Sequence, residues 1–173
     1  HFRWSYEADS KAFAREGAKT IVSDVDVEGG DETVCMIKNS GGEATFVKAD
    51  VSLSDEIEAL VHKTVETYGQ LDCAFNNAGL EREYSNPDER YAEETFQSVI
   101  DTNLKGVWLC MKYEIPQMLE QGFGAIVNTS SVAGLVGVPH QPIYVASKHG
   151  VSGMTKSAAV EYALTGLLLT ATP

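Results

Sequence analysis

Positive charge is scarce in this chain. Thirteen Lys and Arg stand against 25 Asp and Glu over 173 residues, a formal net charge of −12. That balance repels polyanions, so it argues against a nucleic-acid partner and against an anionic membrane surface. Cysteine is sparse too: Cys35, Cys73 and Cys110 lie far apart, with no C-x-x-C pair and no Cys/His cluster. Neither a disulfide framework nor a metal site is indicated, and the three read as reduced thiols in apolar core segments. No run approaches the ~18 apolar residues of a membrane span. The N-terminus lacks the charged start and apolar stretch of a signal peptide, so a cytoplasmic protein is expected. An initiating methionine is also missing, and the chain, beginning at His1, reads as a fragment of one domain spanning residues 1–173.

What is present is an alternation of helix and strand patterns. Residues 1–7 carry no clear period. A helix is predicted from Ala8 to Glu16, with Phe13 inward and Gly17 as its stop. Thr20–Ser23 reads as a buried strand ending at Asp24, followed by a helix from Val27 to Lys38 and the Gly41-Gly42 turn. Ala44–Val47 is a second strand, running into Asp50-Val51-Ser52. Ser54, with Glu56 behind it, opens a helix that reaches Tyr68 and stops at Gly69. Leu71–Phe75 leads into Asn76-Asn77-Ala78-Gly79, and the charged stretch Leu80–Arg90 reads as a surface loop. A long helix is expected over Glu93–Glu120, with Phe96, Ile100, Leu104, Val107 and Met111 on one face and a bend near Pro116. A strand then enters Ser130-Ser131, a loop covers Val132–Gln141, a helix runs from Tyr144 to Ala163, and Leu167–Leu169 begins a last strand. Short apolar strands alternating with helices specify an α/β fold with a parallel sheet covered on both faces.

One constellation carries chemistry. In a helix Tyr144 and Lys148, at i and i+4, share a face. A phenol has an ordinary pKa of about 10, and a cation within ~4–6 Å favours its ionised form. Ser131 lies thirteen positions before Tyr144, at the end of a strand, where its hydroxyl could hold a substrate oxygen beside the phenol.

Asp50-Val51-Ser52, Asn76-Asn77-Ala78-Gly79, Asn103 within Asp101–Gly106, the Ser131 segment and Tyr144-x-x-x-Lys148 together resemble the short-chain dehydrogenase/reductase family in order and spacing. The resemblance is closest to members of the glucose 1-dehydrogenase-like and cyclic-alcohol type. It implies a doubly wound, Rossmann-like sheet and an NAD-dependent oxidoreductase interconverting a small secondary alcohol and its ketone. Within it, Tyr144 would be the general acid/base, Lys148 would lower its pKa and bond the nicotinamide ribose, and Ser131 rather than Ser130 would orient the substrate oxygen. Asn103 would support a water chain from Lys148; its bland alternative is a local helix kink. Asp50 would accept from the adenine with Val51 packing beside it, and Asn76 would lie along the adenosine ribose. Asn77, Ala78 and Gly79 would brace the strand. A carboxylate at Asp24 would bind the ribose hydroxyls and repel a 2′-phosphate, favouring NAD over NADP, with Asp26 as the alternative. The family also implies a homodimer or homotetramer built on the two long helices.

Two departures from the family pattern stand out. The glycine-rich phosphate loop should place glycines near Trp4 and Tyr6, and neither position is glycine. The family's first strand and its final substrate-binding elements find no counterpart, so the domain is expected to be incomplete at both ends. Three outcomes are open for the slot between the Thr20 and Leu71 strands: direct pairing, filling by His1–Tyr6, or two unpaired edges. The rival functional readings are a non-catalytic remnant that has lost cofactor binding, and an NADP-dependent carbonyl or acyl-thioester reductase.

Overall fold

The computed structural model describes residues 6–81 and 92–172. Helix α1 (Tyr6–Arg15) leads to β1 (Lys19–Asp24), α2 (Val27–Asn39), β2 (Glu43–Lys48), α3 (Ser54–Tyr68) and β3 (Cys73–Asn76). Then come α4 (Glu93–Ile100), a π-helical turn (Asp101–Lys105), α5 (Gly106–Gln121), β4 (Gly124–Thr129), a 3₁₀ turn (Val132–Gly134), α6 (Pro142–Glu161) and β5 (Leu167–Thr172). Every strand pair is parallel, as a helix between successive strands demands. This is the parallel α/β fold expected from the alternating pattern, and it is of the Rossmann-like kind that the resemblance implies.

Pairing divides the strands into two groups. β1 pairs with β2 from Lys19↔Glu43 to Asp24↔Lys48. β4 lies between β3 and β5, in register from Cys73↔Ala125 to Asn76↔Asn128 and from Gly124↔Leu167 to Thr129↔Thr172. Among the described residues β1 and β3 do not pair, so direct closure of the slot is excluded. Tyr6 begins α1, and His1–Ser5, including the loop position Trp4, lie outside the described residues. Most of the expected Leu80–Arg90 loop lies outside them as well.

Three apolar clusters hold the layers. Met118, Ile126 and Val151, all fully buried, centre the largest, between α5, β4 and α6. Val22, Val34, Ile37 and Ala44 fill the space between α2 and the β1–β2 pair. Ala49, Ile57, Leu109 and Cys110 join α3 to α5. Gly69 ends α3 in the left-handed region at φ 87°, a conformation that costs glycine little.

Several local expectations are corrected. The expected 93–120 helix runs on to Gln121, but the π turn, in which the Gly106 N–H bonds back to Asp101 O, inserts a residue and rotates the apolar face. Phe96 therefore points outward, half exposed, while Val99 and Asn103 take the inner positions. Phe13 is also partly exposed and meets Phe75, ring centres 6.2 Å apart. Ser54 is the first residue of α3 but not its cap: its hydroxyl pairs with Tyr113 Oη at 2.8 Å, and Glu56 accepts from the Asp50 N–H at 2.7 Å. Only Cys110 is a core thiol; Cys35 lies on the outer side of α2 and Cys73 on the edge strand β3, and both are exposed.

Candidate active site

The polar residues of the second sheet converge where β3 and β4 end against α6. Pro142 at the start of α6 suits a first helical turn, where its missing N–H leaves no bond unmade. Tyr144 follows in that turn, half-buried, and Lys148 lies one turn on at 3% exposure. Lys148 Nζ donates to Thr129 O at 2.7 Å and sits 5.8 Å from the centre of the Tyr144 ring. The Ser131 hydroxyl lies close enough to the Tyr144 phenol to lower its pKa, and it accepts from the Ala133 N–H at 3.1 Å. Ser131, Tyr144 and Lys148 are thus brought together.

Ser130 has a different task. Buried, its hydroxyl reaches Lys148 O at 3.2 Å and Ser152 Oγ at 2.6 Å, so it fastens the strand end to α6. Gly134 permits that approach. A side-chain carbon there would strike Ser130 Oγ and lie 2.8 Å from Lys148 O and 2.9 Å from Ser152 Oγ.

Asn103 is fully buried in the π turn. Its amide grips the Leu80 backbone from both sides, accepting from Leu80 N at 2.6 Å and donating to Leu80 O at 2.9 Å. It also donates to Ser147 Oγ at 3.3 Å. Its place in the π turn agrees with the bland reading of Asn103 as a helix irregularity. A carbon added at Gly79 would come 3.5 Å from Asn103 Oδ1 and 3.7 Å from Lys148 Nζ, so both residues face the same glycine.

The electrostatics depart from the expectation that Lys148 draws the phenol towards neutrality. Burial is the largest influence on Tyr144 and raises its pKa; the Ser131 hydrogen bond opposes this, and the Glu81 carboxylate adds to the rise. Burial likewise lowers Lys148 to about 8, with Glu81 acting to raise it. The ammonium points at Thr129 O, which leaves burial the dominant effect on both groups.

The remaining sequence-derived candidates lie at the strand ends. Asp24 closes β1 and accepts from the Asp26 N–H at 2.8 Å. Asp26, the alternative, caps α2 by accepting from Gly29 N at 3.3 Å. Asp50 follows β2 and accepts from both the N–H and the hydroxyl of Ser52, at 2.9 and 2.7 Å. Val51 packs on Gly106 and the third apolar cluster. The Asn76 amide nitrogen is engaged inside the protein, donating to Glu114 at 3.0 Å and to Asn128 at 2.9 Å. Any ribose contact from Asn76 falls to its other atoms. Asn77 braces the sheet end by accepting from Thr129 Oγ1 at 2.8 Å.

Sequence reasoning missed Glu114 and Glu81. Glu114, 6% exposed on α5, is pushed up to about 7 by burial, against the lowering effect of Asn76. Its helical phase with Cys110, Met111 and Met118 was the available signal. Glu81 is separated from Tyr144 by more than sixty residues, and no periodicity links them.

The short chain dehydrogenase family profile matches residues 7–172, and this chain belongs to that family. It is 45% identical over 159 residues to an uncharacterised oxidoreductase of Thermotoga maritima, covering 92% of this chain and 62% of that protein. It is 44% identical over 154 residues to cyclohexanol dehydrogenase of an Acinetobacter species, covering 89% of this chain and 61% of that one. Among solved structures it resembles levodione reductase, with a TM-score of 0.90, 39% identity, and coverage of 95% of this chain and 64% of that one. A variant of actinorhodin polyketide ketoreductase with NADPH gives a TM-score of 0.87 and 39% identity over 94% of this chain and 62% of that one. The chain thus spans about three-fifths of the length of these relatives. Among the described residues, no helix is long and apolar enough to cross a membrane.

Proposed function

We propose that this chain is the partial NAD-binding domain of a cytoplasmic oxidoreductase that interconverts a small secondary alcohol and its ketone. The observation that carries the reading is the convergence of Ser131, Tyr144 and Lys148 at the carboxyl end of a parallel sheet. In open α/β sheets that end is where ligands bind. The residues present suit a nicotinamide dinucleotide: Asp24 ends β1, Asp50 stands just beyond β2, and Asn76 to Gly79 lead out of β3 towards Lys148. When bound, the nicotinamide supplies or accepts the hydride.

The chain's own groups handle the proton and the geometry. Ser131 holds the substrate oxygen beside Tyr144 Oη. In the reducing direction Tyr144, kept protonated by burial, gives its proton to that oxygen; in the oxidising direction the phenolate takes it back. Lys148, held near 8, is charged at neutral pH and stabilises the phenolate as it forms. Asn103 fixes the Gly79–Leu80 backbone alongside and supports a water chain from Lys148. Asp24 accepts from the ribose hydroxyls and favours NAD over NADP, because Asp26 is committed to capping α2. The exposed side chains of Phe96 and Trp108 on the α4–α5 helix, and of Val160 on α6, suit burial in a homodimer or homotetramer.

The decisive experiment is Tyr144→Phe in the intact protein. Turnover of cyclohexanol should fall by roughly 10²–10⁴-fold, the range of general acid/base catalysis, while NAD affinity by calorimetry stays within about twofold. Activity within about tenfold of the parent would remove Tyr144 from the reaction.

A further inference from the structure

Glu81 follows Leu80 directly, and the Asn103 amide holds both backbone polar atoms of Leu80, at 2.6 and 2.9 Å. Its position is therefore set by a fully buried side chain. Its Oε1 accepts from Gln141 Nε2 at 3.2 Å. Gln141 is the residue just before α6, so this bond ties the carboxylate to the turn that carries Tyr144. Gln141 is a neutral amide, so the bond leaves the negative charge of Glu81 in place. Glu81 is itself exposed. Its field reaches both reacting-end groups, raising Tyr144 and Lys148 alike. A fixed anion beside the proton-transfer group also acts on whatever approaches that group from solvent.

We propose that Glu81 is a specificity-determining residue of this site, admitting uncharged alcohols and ketones and repelling substrates that carry an anion near the reacting carbon. The proposal rests on the alcohol–ketone reading above. Like charges several ångström apart at a partly exposed rim change relative rates by roughly tenfold, and salt weakens the effect.

The test compares kcat/KM for cyclohexanol with that for 4-hydroxycyclohexanecarboxylate in the intact protein. In the parent the ratio should favour cyclohexanol strongly and shrink as ionic strength rises. Glu81→Gln should cut the ratio about tenfold, Glu81→Asp should keep it, and Glu81→Lys should reverse the preference. A ratio unmoved by Glu81→Gln overturns the proposal. Should the parent turn over neither probe, the alcohol–ketone reading fails and the charge of Glu81 is judged separately. Phenolate absorbance, read as the difference between proteins with and without Tyr144→Phe, should then show Tyr144 titrating at lower pH in Glu81→Gln and unmoved in Glu81→Asp. A Tyr144 titration identical in the parent and in Glu81→Gln would overturn the proposal on that arm.

Discussion

At the ends of β1 and β2, polar side chains bond backbone groups two or three residues away: Asp24 to Asp26, Asp26 to Gly29, Asp50 to Ser52. At the ends of β3 and β4 the partners are distant, with Asn76 meeting Asn128 across 52 positions and Asn103 meeting Ser147 across 44. The first kind of contact forms with its own turn and sits near water, so losing it costs little. The second kind exists only when two helices and two strands are packed, and it is buried. A missing partner there strands a polar group in a low dielectric. The β1–β2 half thus offers independent carboxylates at its strand ends, whereas the other half holds its site as one network.

The largest effect expected from this contrast is Asn103→Ala. It leaves the N–H and C=O of Leu80 without their buried partner, at roughly 1–3 kcal/mol for each group, so about 4 kcal/mol of unfolding free energy should be lost. Urea denaturation measures it, and a loss below about 1 kcal/mol would mean that the network is not cooperative.

Glu114 comes next. Its carboxyl titrates at about 7 in the folded chain against 4.5 as the ordinary value, so between those limits the folded state holds a proton that the unfolded state has released. Stability from this group is full below about pH 4.5, falls as pH rises through the window by roughly 3 kcal/mol, and levels off above 7. Glu114→Gln carries no such proton. Its stability relative to the parent should grow between about pH 5 and pH 7.5 in denaturation series; a constant difference would refute the buried, protonated state.

Smaller still is Asp24→Ala on the other side of the comparison. It should reduce the NAD-over-NADP ratio of kcat/KM by about ten- to hundredfold, since a hydrogen bond to a charged group contributes roughly 1.5–3 kcal/mol, with stability nearly unchanged. An unmoved ratio would place the ribose acceptor elsewhere. The least effect is expected for Asp50→Ala, which removes only a turn contact to Ser52 and should lower stability by no more than about 1 kcal/mol. A loss as large as that of Asn103→Ala would erase the distinction between the halves.

The same contrast separates what could be read in advance from what could not. The alternation of helix and strand, the α3 helix from Ser54 to Tyr68, and the pairing of Tyr144 with Lys148 on one helical face follow from short-range periodicity. So does Asp24 at a strand end. Phe96 was misplaced because a π turn shifts helical phase by a residue, and that turn carries Asn103, whose amide binds Leu80 23 positions away. The raised pKa of Tyr144 could not be read either, since burial depends on what covers the ring and the i, i+4 spacing to Lys148 does not.

By itself the sequence determined the order of elements, the parallel character of the sheet and the placing of Tyr144 and Lys148 on one helical face, because each depends on neighbours within a few turns. Tertiary structure alone decided that Ser130 fastens α6 while Ser131 turns to the phenol. It also decided that Asn76 is drawn inward by Glu114 and that Glu81 is tied to Gln141 at the start of α6. These are choices among side chains of the same type, or between facing in and facing out. Only the packing of segments far apart in the chain distinguishes them, since burial and charge act through space.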